Sequence, residues 1–228
     1  MKRILVPTRS PEDWKRLLAK PDLHWKPGYS AMTLALSWEA AHPHVPPEVV
    51  SALRSAGTPL LSYLDLLLAI PEYQVDLPGG QRPSQTDVLA LMGGSAGLVA
   101  VAVEGKVDEA FGPTVGQKRA EHSSGVDERL AWLIERLGLT SVPDGIRYQL
   151  LHRTASALIV AEDFHAAAAV MLVHSFSPTD RWFDDFSAFA ELLGVQAGID
   201  RVGRVRNEMG IPLFIGWCKG DQAFRERA

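Results

Sequence analysis

Residues 85–108 read QTDVLALMGGSAGLVAVAVEGKVD. Two apolar runs flank Gly93-Gly94-Ser95-Ala96-Gly97, a turn whose glycines tolerate positive φ. The run before it, Gln85–Met92, holds Val88, Leu89 and Leu91, and the run after it, Leu98–Val107, is short and rich in β-branched residues. Two such runs joined by a glycine turn predict an antiparallel hairpin. Side chains on a strand alternate between faces, so Glu104 and Lys106 share one face. Val99, Val101 and Val103 share the other, where a core is expected. The hairpin brings Asp87, near the start of the first run, alongside Glu104 and Lys106.

Outward from this hairpin the chain changes texture. Upstream, Ser10-Pro11-Glu12-Asp13 opens a helix that Pro21 ends, with a cap, a first-turn proline and two acids suited to the helix dipole. A second helix runs from Ser30 to Glu39 and stops at Pro43. A third starts at Pro46-Pro47-Glu48 and closes at Gly57. A fourth is expected from Thr58-Pro59, carrying Leu60, Leu61, Leu64, Leu67 and Leu68. Glu72–Leu77 alternates and supplies the first strand of a three-strand meander. Downstream, Gly112–Gly125 reads as a loop, Val126–Leu137 and Ile146–Phe164 as helices, and Ala166–Phe176 as a buried strand. Trp182–Leu193 reads as a helix and Pro212–Cys218 as a last strand. This order predicts the α/β class, with a central mixed sheet (an antiparallel meander plus later strands) flanked by helices. One domain is expected over residues 1–228, with residues 1–70 mostly helical and residues 71–228 holding the sheet.

Composition sets outer bounds. The chain has 228 residues, 46% hydrophobic and 22% charged, which is the balance of a globular protein and not of a disordered or fibrous one. Its net charge of −4, from 23 Lys+Arg against 27 Asp+Glu, argues against a strongly cationic binder of nucleic acid or membranes. The single cysteine, Cys218, cannot form an intrachain disulfide, which favours a reducing compartment. The apolar stretch Ile4–Val6 is shorter than the about 7–15 residues of a signal-peptide core. Runs such as Ala166–Val173 fall short of the about 18 residues that span a bilayer. A cytoplasmic protein without membrane contact is expected, and the abundant Ala and Pro suit a GC-rich bacterial genome.

Asp87, Glu104 and Lys106 form a coherent chemical set. Two carboxylates a few Å apart repel, and a divalent cation relieves that repulsion. Mg²⁺ favours one or two protein carboxylates, with water and substrate phosphate completing its shell. A lysine beside it can orient or activate water, or stabilise developing charge. The spacing, Asp87, sixteen residues, then Glu104-Gly105-Lys106, resembles the signature of the PD-(D/E)XK restriction-endonuclease-like nuclease superfamily. That resemblance implies a core order of helix, three-strand meander, helix, strand, which is similar to the order read here from Ser30 to Cys218. It implies an extra acid on the helix before the meander, where Glu39 sits, and a glutamine on the helix after it, where Gln149 sits. It also implies Mg²⁺ or Mn²⁺ held by Asp87, Glu104 and Glu39, and hydrolysis of DNA or RNA. The Pro that can precede the first Asp is replaced here by Thr86. An alternative on the same fold is a catalytically silent module that binds nucleic acid or a partner protein. In the plainest reading, Glu104 and Lys106 are an exposed ion pair worth under about 1 kcal/mol.

Other residues point less sharply. His42 and His44 lack companions at a zinc-like spacing. His152, three residues after Gln149, is a surface or core-edge histidine or a phosphate contact. His174 lies in the late strand. Cys218 is expected to be a buried, inert thiol. Arg201, Arg204 and Arg206, with Lys118 and Arg119, are the best local basic clusters. Trp25, Trp38, Trp132, Trp182 and Trp217 read as core or core-edge residues. No P-loop, dinucleotide-binding or nucleophile-elbow motif occurs.

Overall fold

The two apolar runs around Gly93–Gly97 pair at the heart of a six-stranded mixed sheet. A computed structural model describes residues 8–80, 82–206 and 210–227. The Ile4–Val6 stretch lies outside the described residues. β1 (Asp65–Val75), β2 (Ser84–Gly94) and β3 (Gly97–Lys106) form an antiparallel meander. β4 (Ala168–Ser175) lies parallel to β3, and β6 (Leu213–Lys219) lies parallel to β4. β5 (Arg201–Arg204) closes the far edge antiparallel to β6, giving the order β1-β2-β3-β4-β6-β5. A 3₁₀ helix, Pro11–Leu17, and α1 (Pro21–His24) precede α2 (Ser30–Ala41) and α3 (Pro47–Arg54). The crossover from β3 to β4 carries α4 (Val115–Arg119), α5 (Ser124–Arg136) and α6 (Tyr148–Asp163). α7 (Phe183–Leu192) follows β4 and α8 (Gln222–Arg227) follows β6.

Alternation along the strands builds two cores, one on each side of the sheet. Val88, Ala90 and Met92 with Val99, Val101 and Val103 pack against Leu34 and Trp38 of α2 and Val49 and Leu53 of α3. Leu89, Leu91, Ala100 and Ala102 face the other way, toward Leu130 of α5, Leu151 of α6 and Phe186 of α7. β4 is buried along its whole length, as a parallel strand covered on both faces must be. This two-sided covering makes the protein an α/β fold. No helix among the described residues is long and apolar enough to cross a membrane.

The expected fourth helix is corrected. Leu60–Leu68 forms a single 3₁₀ turn, Pro59–Leu61, and then enters β1, where Asp65 pairs with Gly93 and Leu66 with Met92. The leucine spacing suits a helix, but the backbone finds its partners in β2, and tertiary pairing overrides local propensity. The Gly112–Gly125 loop contains α4, which Thr114 and Gln117 start by reciprocal capping bonds. Pro21 begins α1 instead of only ending the preceding helix. Arg201 and Arg204 belong to β5, at the sheet edge opposite β1, and not to a helix or loop.

β5 docks tightly on Gly216. A Cβ built there would lie 2.4 Å from Val202 Cγ2 and 2.8 Å from the Arg201 carbonyl. Gly216→Ala is expected to destabilise the protein by about 1–3 kcal/mol, because neither neighbour can yield without moving β5. A urea melt checks this: the midpoint should fall with the slope unchanged. An unchanged midpoint would mean that β5 is not packed as described.

Candidate functional site

Glu104 and Lys106 extend the row of Ala100 and Ala102, so they project toward α6 and not toward α2. Here the sheet changes character. The β2–β3 ladder runs regularly from Gly94/Gly97 to Val88/Val103. One step beyond, Asp87 Oδ2 accepts the Gly105 N–H at 2.8 Å, so a side chain replaces the backbone acceptor. β3 meanwhile stays paired to β4 through Glu104/Val173 and Lys106/Ser175. β2 is therefore released from β3 where the two carboxylates meet.

β1 contributes a third acid. Pro71 pairs with Val88 and Tyr73 with Thr86, which sets Glu72 across from Asp87. Glu72 has φ 53, a left-handed backbone that a glutamate adopts only when its surroundings impose it. Ile70 and Tyr73, three residues apart, both pack against the α6-side core, so regular alternation is broken at this point. Glu72, Asp87 and Glu104 thus stand side by side on three neighbouring strands, and all three line one cavity of about 470 Å³.

α6 closes the cavity from the other side. Gln149 and Arg153 are one turn apart and point the same way. Gln149 Nε2 donates to Glu104 Oε1 at 2.7 Å, and Arg153 Nε donates to Glu104 Oε2 at 2.6 Å. Lys106 Nζ donates to Glu104 Oε1 at 2.5 Å and sits 4.9 Å from the centre of the Phe111 ring. Glu104, Lys106 and Arg153 are 2%, 4% and 7% exposed, so the pairing is a buried one and not the exposed ion pair of the plainest reading. Gln85 Nε2 donates to Glu72 Oε2 at 2.9 Å and to the Leu17 carbonyl at 3.1 Å, tying the third acid to the N-terminal segment.

The charges sort themselves by environment. Burial alone would raise the Glu104 carboxyl, but the charges and hydrogen bonds of Lys106 and Arg153 outweigh it and hold it at about 2. Asp87 goes the other way, to about 7, first through burial and then through repulsion by Glu104. Burial and the Asp87 charge push Glu72 well above the ordinary carboxylate range. Three acids with different proton affinities therefore share one cavity, a pattern common where chemistry is done.

The structure brings together four of the five residues picked from the sequence: Asp87, Glu104, Lys106 and Gln149. The fifth is corrected. Glu39 lies on α2, which covers the opposite face of the sheet, and does not line the cavity. Its Oε1 accepts the Thr8 hydroxyl and the Trp14 indole N–H, each at 2.9 Å, and so fastens the N-terminal segment to α2. Sequence reasoning missed Glu72 and Arg153. Arg153 was visible as the residue four after Gln149 on a helix, and Glu72 lies two residues after Ile70 on the same face of β1, which the expected strand start at Glu72 hid. The basic clusters lie elsewhere: Lys118 pairs with Glu121, Arg119 with Asp144, and Arg201 and Arg204 sit on the far edge. Cys218 is fully buried, and burial raises its thiol well above the usual range.

Residues 7–222 match the family described as Domain of unknown function (DUF6946). The chain belongs to that family. No curated protein and no solved structure matches it. Among the described residues, no group of three or more His, Cys, Asp or Glu side chains is arranged to hold a metal ion. The pair Asp87 and Glu104 is the number of carboxylates that Mg²⁺ ordinarily takes from protein, provided water and substrate complete the shell.

Two predictions follow from the charges. Arg153→Ala should destabilise the fold by about 3–5 kcal/mol, because it leaves Glu104 buried with half its compensation; thermal or urea unfolding reads this. The pH profile should carry two opposite slopes. Glu104 has a lowered pKa, so its contribution is present above about pH 4 and is lost as pH falls toward about 2. Asp87 has a raised pKa, so the native state holds its proton longer and stability declines as pH rises from about 4 to about 7. Asp87→Asn should flatten the second slope, leaving the part that Glu72 supplies through its own raised pKa. A variant whose decline across that window equals the wild type's would refute the assignment.

Proposed function

We propose that the protein is a metal-dependent phosphodiester hydrolase acting on DNA or RNA, of the restriction-endonuclease-like kind. The observation that carries this reading is the row of Glu72, Asp87 and Glu104 beside Lys106 in one open cavity. The element order α2-β1-β2-β3-α6-β4, with an antiparallel meander and a parallel fourth strand, supports it. So does Gln149, which meets Glu104 from the helix after the meander. Asp87 and Glu104 would hold Mg²⁺ or Mn²⁺, which supplies charge neutralisation at the phosphoryl group and a more acidic bound water.

The chain's own groups have separable tasks. Gln149 and Arg153 fix the Glu104 carboxylate from two sides, so its orientation is set before substrate arrives. Lys106, with its ammonium between Glu104 and the Phe111 ring, would supply positive charge to a phosphate bound in the cavity. Without a metal Asp87 holds a proton up to about pH 7, so a cation bound there would displace that proton and take its place against Glu104. Arg153 gives a second reading its support. With both Lys106 and Arg153 on Glu104, this carboxylate already has its countercharges, which suits a module on the same fold that binds nucleic acid or a partner protein without cutting.

The two readings separate experimentally. The hydrolase reading expects Mn²⁺-dependent cleavage of DNA or RNA by the wild type, lowered at least about a hundredfold in Asp87→Ala and Lys106→Ala with the fold retained. It also expects calorimetric Mn²⁺ binding that Asp87→Asn abolishes. No cleavage across several divalent metals, with Mn²⁺ binding unaffected by Asp87→Asn, would remove it in favour of the silent module.

A further inference from the structure

The cavity has a second end, at His152, that the acid row does not use. His152 follows Gln149 by three residues on α6 and lines the same cavity. Its Nδ1 is 2.9 Å from Ser84 Oγ, and Arg153 Nη1 donates to that same Oγ at 2.9 Å. Ser84 is buried, and its hydroxyl has no other partner among the described residues. Arginine can only donate. If His152 Nδ1 also carried a hydrogen, Ser84 would receive two donors and its own proton would be left buried without an acceptor, at a cost the fold avoids. The arrangement that satisfies every group runs Arg153 to Ser84 to His152 Nδ1. The ring hydrogen then sits on Nε2, which forms no hydrogen bond among the described residues and is not one of the fully buried polar atoms. Burial, and then the Arg153 charge, keep the imidazole neutral against the opposing pull of Glu104.

We propose that His152 Nε2–H is a substrate-binding donor for a phosphate oxygen, and that Ser84 and Arg153 are positioning residues that fix its tautomer. This rests on the phosphodiester reading, which brings a phosphate into the cavity. Arg153 then joins the two ends: one side of its guanidinium holds Glu104 and the other sets the hydrogen-bond direction at His152. Substrate would be gripped by an uncharged donor at one end while the acid row handles the reacting group.

The tautomer is testable on the wild type. Side-chain ¹⁵N NMR of histidine-labelled full-length protein at pH 7 should show His152 protonated at Nε2 and bare at Nδ1; the reverse pattern would overturn the proposal. Inorganic phosphate and the dinucleotide pTpT, titrated without metal, should both perturb that Nε2 resonance, and no perturbation by either would also overturn it. His152→Asn keeps an acceptor near Nδ1 and removes the cavity donor, so its affinity for pTpT should fall about tenfold. His152→Gln returns an N–H near Nε2 and should restore most of the loss. Equal affinities in wild type and His152→Asn would refute the proposal. Metal-dependent cleavage is a separate readout: His152→Asn should raise KM about tenfold with kcat largely kept. His152-dependent phosphate binding without any cleavage would support the subsite while removing the hydrolase reading.

Discussion

The site depends on one carboxylate held by two cations. Glu104 lies in the middle of the sheet with almost no access to water, and Lys106 and Arg153 bind its two oxygens. An unpaired charge at that position would cost several kcal/mol, and a pair with poor geometry would not recover it. The bidentate arrangement explains why Lys106 lies two residues along the same strand and why Arg153 comes from the facing helix. It also explains the neighbours. Burial first, and then repulsion among the acids, makes Asp87 and Glu72 keep their protons to higher pH, with the Arg153 charge only partly offsetting this.

The hairpin around Gly93–Gly97 was legible because two short apolar runs flank a turn rich in glycine, and the second run is rich in valine. Strand parity then placed Glu104 and Lys106 together, and the structure agrees. The same reasoning failed at Leu60–Leu68, whose leucines recur with helical spacing but whose backbone is claimed by β2. It failed at Glu39, because sequence order cannot say which face of a sheet a preceding helix covers. Leu34 and Trp38 of that helix pack on the valine side of β3, and only the start of the helix, Ser30 and Ala31, lines the cavity. Glu72 was missed because the first strand was expected to begin there; with β1 running from Asp65, Glu72 continues the row of Leu68 and Ile70 on the α6 side.

The opening objection drawn from net charge changes its meaning. The chain carries more acids than bases, and its exposed arginines on β5 are far from the cavity. What the cavity offers an anion is instead local: Lys106 and Arg153 beneath it and the His152 corner at its end. Such a site recognises a phosphate by fixed donors and short-range charge. It does not draw a polyanion from a distance, and binding governed this way responds weakly to salt.

The left-handed turn at Glu72 also affects how copies of the chain meet. β1 is an outer strand of the sheet, and an outer strand eleven residues long offers a template on which another molecule can add its own strand. Pro71 supplies no N–H, and at Glu72 the backbone leaves the extended conformation that a pairing partner needs. A docking strand would lose its register halfway along. The opposite edge is only four residues long. The local distortion beside the acid row therefore interrupts the edge along which the sheet could otherwise grow into an aggregate.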